Sequence, residues 1–193
     1  MSLKQTVPPT SLPISLQAAR DHVKVVDNED DADLSRYIDG ARAYAETRLG
    51  RQLITATWRL KCDMFPADDF IELPNPPLQS VTSLKYIDMA GDQQTFSSGS
   101  YSVDTDSEPG RIILNYDASW PLIRSQKQAI EITYVAGYGD DDSDMPAGIR
   151  NAMLLLVGHW FWQREAVVVG PSPSVIPLAV DSLIMTEHWG RYP

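Results

Sequence analysis

The sequence predicts an α+β fold: a helical bundle formed from the N- and C-terminal helices, with a small antiparallel β lobe inserted between them. Three observations point there. Apolar residues recur at steps of three and four in a segment near each end of the chain. Between those segments the pattern changes to short β-branched and aromatic runs cut by Gly/Pro turns. With 193 residues, of which 43% are apolar and 22% charged, the chain is long enough to bury a sizeable core without disulfide staples. The expected division is a flexible N-terminal lead over 1–13, N-terminal helices over 14–52, a β-rich insert over 53–138, and C-terminal helices and tail over 144–193, the helical parts forming one domain.

After the Pro-rich lead, Ser15 is the expected N-cap of a helix over 16–25, because its hydroxyl can accept from an unpaired amide of the first turn. Ala18 stands where a capping box would place Glu or Gln. DNEDD (27–31) is an acidic turn that favours the positive end of the next helix. In that helix Leu34, Tyr37, Ile38, Ala41, Ala45 and Leu49 form one apolar stripe, interrupted by Arg48, and Gly50 is the expected stop. Strands are expected at 55–61, 70–73, 81–87, 101–103, 111–114 and 129–135, with PNPP (74–77), the Gly turn at 88–92 and EPG (108–110) as breaks. Six or so strands with frequent turns suggest a small antiparallel sheet or barrel. Pro146 suits the first position of a helix over 147–166, whose apolar residues wrap around more than one face. A Pro-rich loop (170–177) and a short helix over 178–188 close the chain.

The formal net charge is −10, from 16 Lys and Arg against 26 Asp and Glu. Tight binding of nucleic acid needs basic residues gathered on one face. Along the sequence no such gathering is visible, since Arg36, Arg42, Arg48 and Arg51 alternate with Asp33, Asp39 and Glu46. The N-terminus lacks the apolar core of a signal peptide. The longest apolar run, Ala152 to Val157, is far short of the roughly 20 residues that span a bilayer. A soluble protein made in the cytoplasm is expected.

Motifs for chemistry are few. Asp140, Asp141, Asp142 and Asp144 are the densest acidic cluster, but counting from Asp140 puts Met145 and Asn151 where a calcium loop needs Gly and Glu. A solvated loop leading into a helix is the expected reading. His22, His159 and His188 have no second His at helical spacing, and the single Cys62 has no neighbouring base. Gly137-Tyr138-Gly139 lacks the third glycine of a dinucleotide fingerprint. No catalytic residue, cofactor or metal site is expected. The aromatic excess near the C-terminus remains, with Trp160, Phe161, Trp162, Trp189 and Tyr192. Aromatics and Arg are enriched where subunits meet, although the same side chains could fill the chain's own core.

The ordered set of segments resembles the phage head–tail connector proteins, the gp6-like adaptor or head-completion family, in its longer members with a β insert. The residues that carry the resemblance are LPISLQAARDHVKV (12–25), LSRYIDGARAYAETRLGRQL (34–53), TWRLKCDMFP (57–66), IELPNPPLQSVTSLKYIDMAGD (71–92), YSVD (101–104), WP (120–121) and the run 132–167 from ITYVAGYGDDD to WQREAV. The resemblance implies a non-enzymatic virion protein that forms a homo-oligomeric ring, commonly of about twelve subunits. Such a ring sits between the portal protein and the next head–tail connector or tail component, with DNA passing through its lumen without specific binding. An acidic lining would keep that passage slippery. In relatives the C-terminal segment docks on the portal, which by position makes 166–193 the docking segment. Trp160, Trp162, Trp189, Arg191 and Tyr192 are the candidate portal or subunit contacts. The alternatives are another virion ring protein, such as a stopper or tail terminator, and a small hydrolase or carbohydrate-binding module built on the β lobe.

Overall fold

The computed structural model describes residues 1–163 and 178–186. The chain forms two compact units, one of residues 1–9 and 55–138, the other of residues 10–54 and 139–193. The mixed α+β class expected from the two periodicities is what the chain adopts.

The first unit contains β1 (Ser2–Val7), β2 (Ala56–Cys62), β3 (Phe70–Glu72), β4 (Leu78–Ile87), β5 (Gln93–Thr95), β6 (Tyr101–Asp104), β7 (Arg111–Leu114) and β8 (Ile130–Ala136). They make a five-stranded sheet in the order β1-β2-β8-β4-β5 and a three-stranded sheet in the order β3-β7-β6, with every pairing antiparallel. Strand alternation decides what is buried. Along β8, Ile130, Ile132, Tyr134 and Ala136 point inward, and Leu60 and Leu84 face the same side from β2 and β4. Leu73, Leu78, Tyr101 and Ile112 complete one apolar core. The turns are built locally. Asp88 accepts from the backbone N–H groups of Ala90, Gly91 and Asp92, and Gly91 takes a φ of 100°.

Two strands escape the sequence pattern. The lead over 1–13 is not flexible throughout, because Ser2–Val7 is an edge strand paired with β2. Nearly all of its side chains are exposed, so backbone pairing forms it and there is no apolar alternation to detect. The same holds for β5, whose Gln93, Gln94 and Thr95 are all exposed.

The second unit contains α1 (Leu16–Val23), α2 (Asp31–Leu49), α3 (Ala147–Trp162) and α4 (Leu178–Thr186). Ser15 caps α1 as expected, accepting from the Ala18 N–H. The helix ends earlier than expected, at Val23, because Lys24 turns left-handed (φ 63°). In α2 the stripe Leu34, Ile38, Ala41, Ala45 and Leu49 is buried, and Gly50 ends the helix at φ 64° with its N–H donating to the Glu46 carbonyl. Pro146 sits one position ahead of α3, and its carbonyl accepts from Ile149 and Arg150. The described helix stops at Trp162 rather than 166, since Gln163 has left helical geometry. Helix α3 is central in this unit, packing against α1, α2 and α4. No helix among the described residues is long and apolar enough to cross a membrane.

Candidate interaction surfaces

Helix α3 turns Ile149, Ala152, Met153, Leu156, Val157 and Phe161 into the core of its unit. With that face filled, the residues at 155, 158, 159 and 162 form a second stripe one helical row apart. Trp162 is 71% exposed and Leu155 is 37% exposed. Together with Gly158, His159, Gln163 and His22 of α1 they line an open depression of about 290 Å³. Gly158 gives the close approach, because a Cβ there would lie 3.1 Å from the His22 ring. The two described aromatic candidates therefore differ. Trp162 is presented to solvent, edge-on to Phe161 at 5.3 Å between centroids. The half-buried Trp160 lies over Gly40 of α2, where a Cβ would come within 3.3 Å of its ring. Trp189, Arg191 and Tyr192 lie outside the described residues.

In the β unit a second exposed region forms where two loops meet. The rings of Phe65 and Trp120 stack 4.7 Å apart, and the Trp120 indole N–H donates to the Asp68 carbonyl. Asp63 accepts from the Gln128 backbone N–H and from Lys127 Nζ, and these bonds hold its carboxyl below the usual carboxylate range. On this frame Met64 is exposed between two shallow depressions of about 500 and 520 Å³.

Buried polar groups serve the fold. Glu46 Oε1 accepts from Gln52 Nε2 at 2.7 Å and from the Leu53 N–H at 3.1 Å, so it ties the chain leaving α2 back to that helix. Burial pushes this carboxyl up from its ordinary value. The Tyr134 hydroxyl, also pushed up by burial, donates to the Pro74 carbonyl at 2.9 Å and fixes the PNPP turn against β8. The acidic cluster is a loop structure: the Asp144 carboxylate accepts from the Asp141 N–H, and the Asp144 N–H donates to the Asp141 carbonyl. Among the described residues no group of three or more His, Cys, Asp or Glu is placed to hold a metal ion.

The five-stranded sheet holds a feature that the sequence hid. One register line runs Ser2, Lys61, Glu131, Lys85, Thr95, and the next runs Lys4, Arg59, Thr133, Ser83. Since Leu60, Ile132 and Leu84 face the core, these two lines lie on the outer face. Of the seven Lys and Arg in this unit, four stand here; of its eleven Asp and Glu, only Glu131 does. Lys61 pairs with Glu131 at 3.1 Å. The expectation that the basic residues are nowhere gathered is corrected. They lie at 4, 59, 61 and 85, far apart in sequence, and strand pairing brings them together.

Comparison with known proteins adds the family. The family model for head completion protein matches residues 14–170. The chain belongs to the head completion protein family. Membership gives this head completion protein a structural role as a head–tail connector. No curated protein matches it. Among solved structures it is similar over its whole length to chains of gene transfer agent (GTA) particles. One is from the neck of an empty GTA particle computed with C6 symmetry (24% identity, TM-score 0.82), a likeness of fold. A second is from the virion of a native GTA particle (25%, 0.80), and a third from the neck of a native GTA particle computed with C12 symmetry (27%, 0.77). Each match covers 100% of this chain and 98% of the other.

Proposed function

We propose that this head completion protein is a non-enzymatic virion component at the head–tail interface, working as a homo-oligomeric ring of about twelve subunits between the portal and the next connector or tail component. The observation that carries this reading is the full-length likeness to neck chains from particles computed with C6 and C12 symmetry. A cyclic ring needs two different patches on each subunit, and the surfaces above supply more than one. DNA passes through the lumen without being gripped, in keeping with the net charge of −10. Trp162 is the described anchor for a neighbouring subunit or the portal, with Trp189, Arg191 and Tyr192 completing the contact from the C-terminal segment. Trp160 contributes by packing α3 on α2.

Particle assembly tests the reading. Deleting the gene should leave filled heads and separate tails, and supplying the wild-type protein in trans should restore joined particles. A Trp162→Ala protein of unchanged melting temperature should restore fewer. Normal tailed particles without the protein, or a cryo-EM map that places it at the tail tip, would overturn the proposal.

A further inference from the structure

The outer face of the five-stranded sheet carries Lys4, Arg59, Lys61 and Lys85 on a protein of net charge −10. Strand geometry puts each of these four within about 10 Å of another, since neighbouring strands lie about 4.8 Å apart and alternate residues about 6.7 Å along a strand. Like charges this close repel, and a sheet face has no local need of them. Only Lys61 has a carboxylate partner on this face; Lys4, Arg59 and Lys85 have none among the described residues. Beside them Val7, Thr57 and Val135 share the next register line, so the cations border a less polar strip.

We infer that this face binds an acidic surface on a second copy of the chain, the DNEDD turn at 27–31. The inference rests on the ring reading above and adds which surfaces meet. That turn presents Asp27 and Glu29 to solvent on either side of Asn28, next to Val26, which is 97% exposed. A carboxylate pair beside an exposed valine complements a cation cluster beside a valine strip. The two patches differ, as a head-to-tail ring requires. A second copy fits better than DNA because the chain as a whole repels a polyanion, while 26 acidic residues give every copy a surplus of carboxylate to offer.

The test is charge exchange in the full-length protein, read by sedimentation velocity at low and high salt. Lys4→Glu/Arg59→Glu/Lys85→Glu and, separately, Asp27→Lys/Glu29→Lys should each weaken self-association about tenfold or more, the scale of a close interfacial charge pair. Mixing the two proteins should restore association, because each retains the surface the other has reversed. The wild-type assembly should weaken as salt rises. Restoration also shows that both variants are folded, and circular dichroism melts check each alone. Self-association that ignores both sets of changes overturns the pairing and leaves the ring intact. A wild-type chain that stays monomeric at low salt and high concentration, and is absent as a ring from intact particles, overturns both. Binding to duplex DNA that the sheet-face variant abolishes, with self-association unchanged, would reassign the face to nucleic acid.

Discussion

Glu46 shows how a single residue can be polar, buried and still structural. Its carboxylate accepts two hydrogen bonds from the segment that leaves α2, and burial raises its proton affinity. A group whose folded value is raised holds its proton more tightly when folded, so its contribution declines as pH climbs from the ordinary carboxylate value to the raised one. Glu46→Gln keeps an acceptor for both donors and removes the buried charge, so its melting temperature at pH 7 should equal or exceed that of the wild type. Glu46→Ala removes the shared acceptor, so that the buried Leu53 N–H loses its bond, and should cost about 1–3 kcal/mol in a denaturant titration. A loss for Gln as large as for Ala would show that the charge itself, with Arg42 nearby, stabilises the fold. Nothing in the sequence marks Glu46, because it sits at an ordinary helical position and its partners follow the helix stop at Gly50.

At the scale of elements, the β unit depends on turns whose residue types were legible and whose packing was not. EPG at 108–110 reads as a turn before β7, but the reason for its glycine is tertiary. A Cβ on Gly110 would lie 2.4 Å from the Leu78 Cβ, while the Gly110 carbonyl accepts from the Leu73 N–H. Gly110→Ala should therefore cost about 1–3 kcal/mol by overpacking. Gly99→Ala meets only the Ser97 hydroxyl, at 3.6 Å, and should change stability by less than about 0.5 kcal/mol. Equal effects in paired chemical denaturation curves would refute the close approach. Helix α3 makes the same point from its apolar pattern. Its residues wrap around several faces, and the contacts with α1, α2 and α4 decide that Phe161 is core while Leu155 and Trp162 are left outside.

For the whole molecule, charge is the property most changed by folding. Carboxylates organise the turns: Asp63 holds Gln128 and Lys127, Asp88 holds the β4–β5 turn and Gln94, Asp104 holds Asp106 and Ser107, and Asp31 pairs with Arg20. In each case these bonds keep the carboxyl below its ordinary value. Their stabilisation is present above the unfolded value, about 3.9 for Asp, and is lost as pH falls through the folded values. The melting temperature should thus drop between pH 5 and pH 2, the opposite direction to the Glu46 contribution. Replacing Asp63, Asp88 and Asp104 with Asn should flatten that drop in scanning calorimetry, and an unchanged profile would remove these turns as its cause.

Local sequence was enough for the fold class, the two helical ends, the Ser15 cap and the Gly50 stop, the main strands of the insert, and, through its ordered segments, the likeness to head–tail connectors. Those features are written in local periodicity and turn chemistry, which depend on neighbours a few residues away. Packing and strand pairing were needed for the two exposed strands, the glycines forced by close approach, the face of α3 that carries Leu155 and Trp162, and the gathering of Lys4, Arg59, Lys61 and Lys85. Each of these depends on partners tens of residues distant, and pairing of a backbone edge leaves no mark on the side chains that a sequence displays. The net charge of −10 was legible from the start. Where its few cations converge was set by strand register alone.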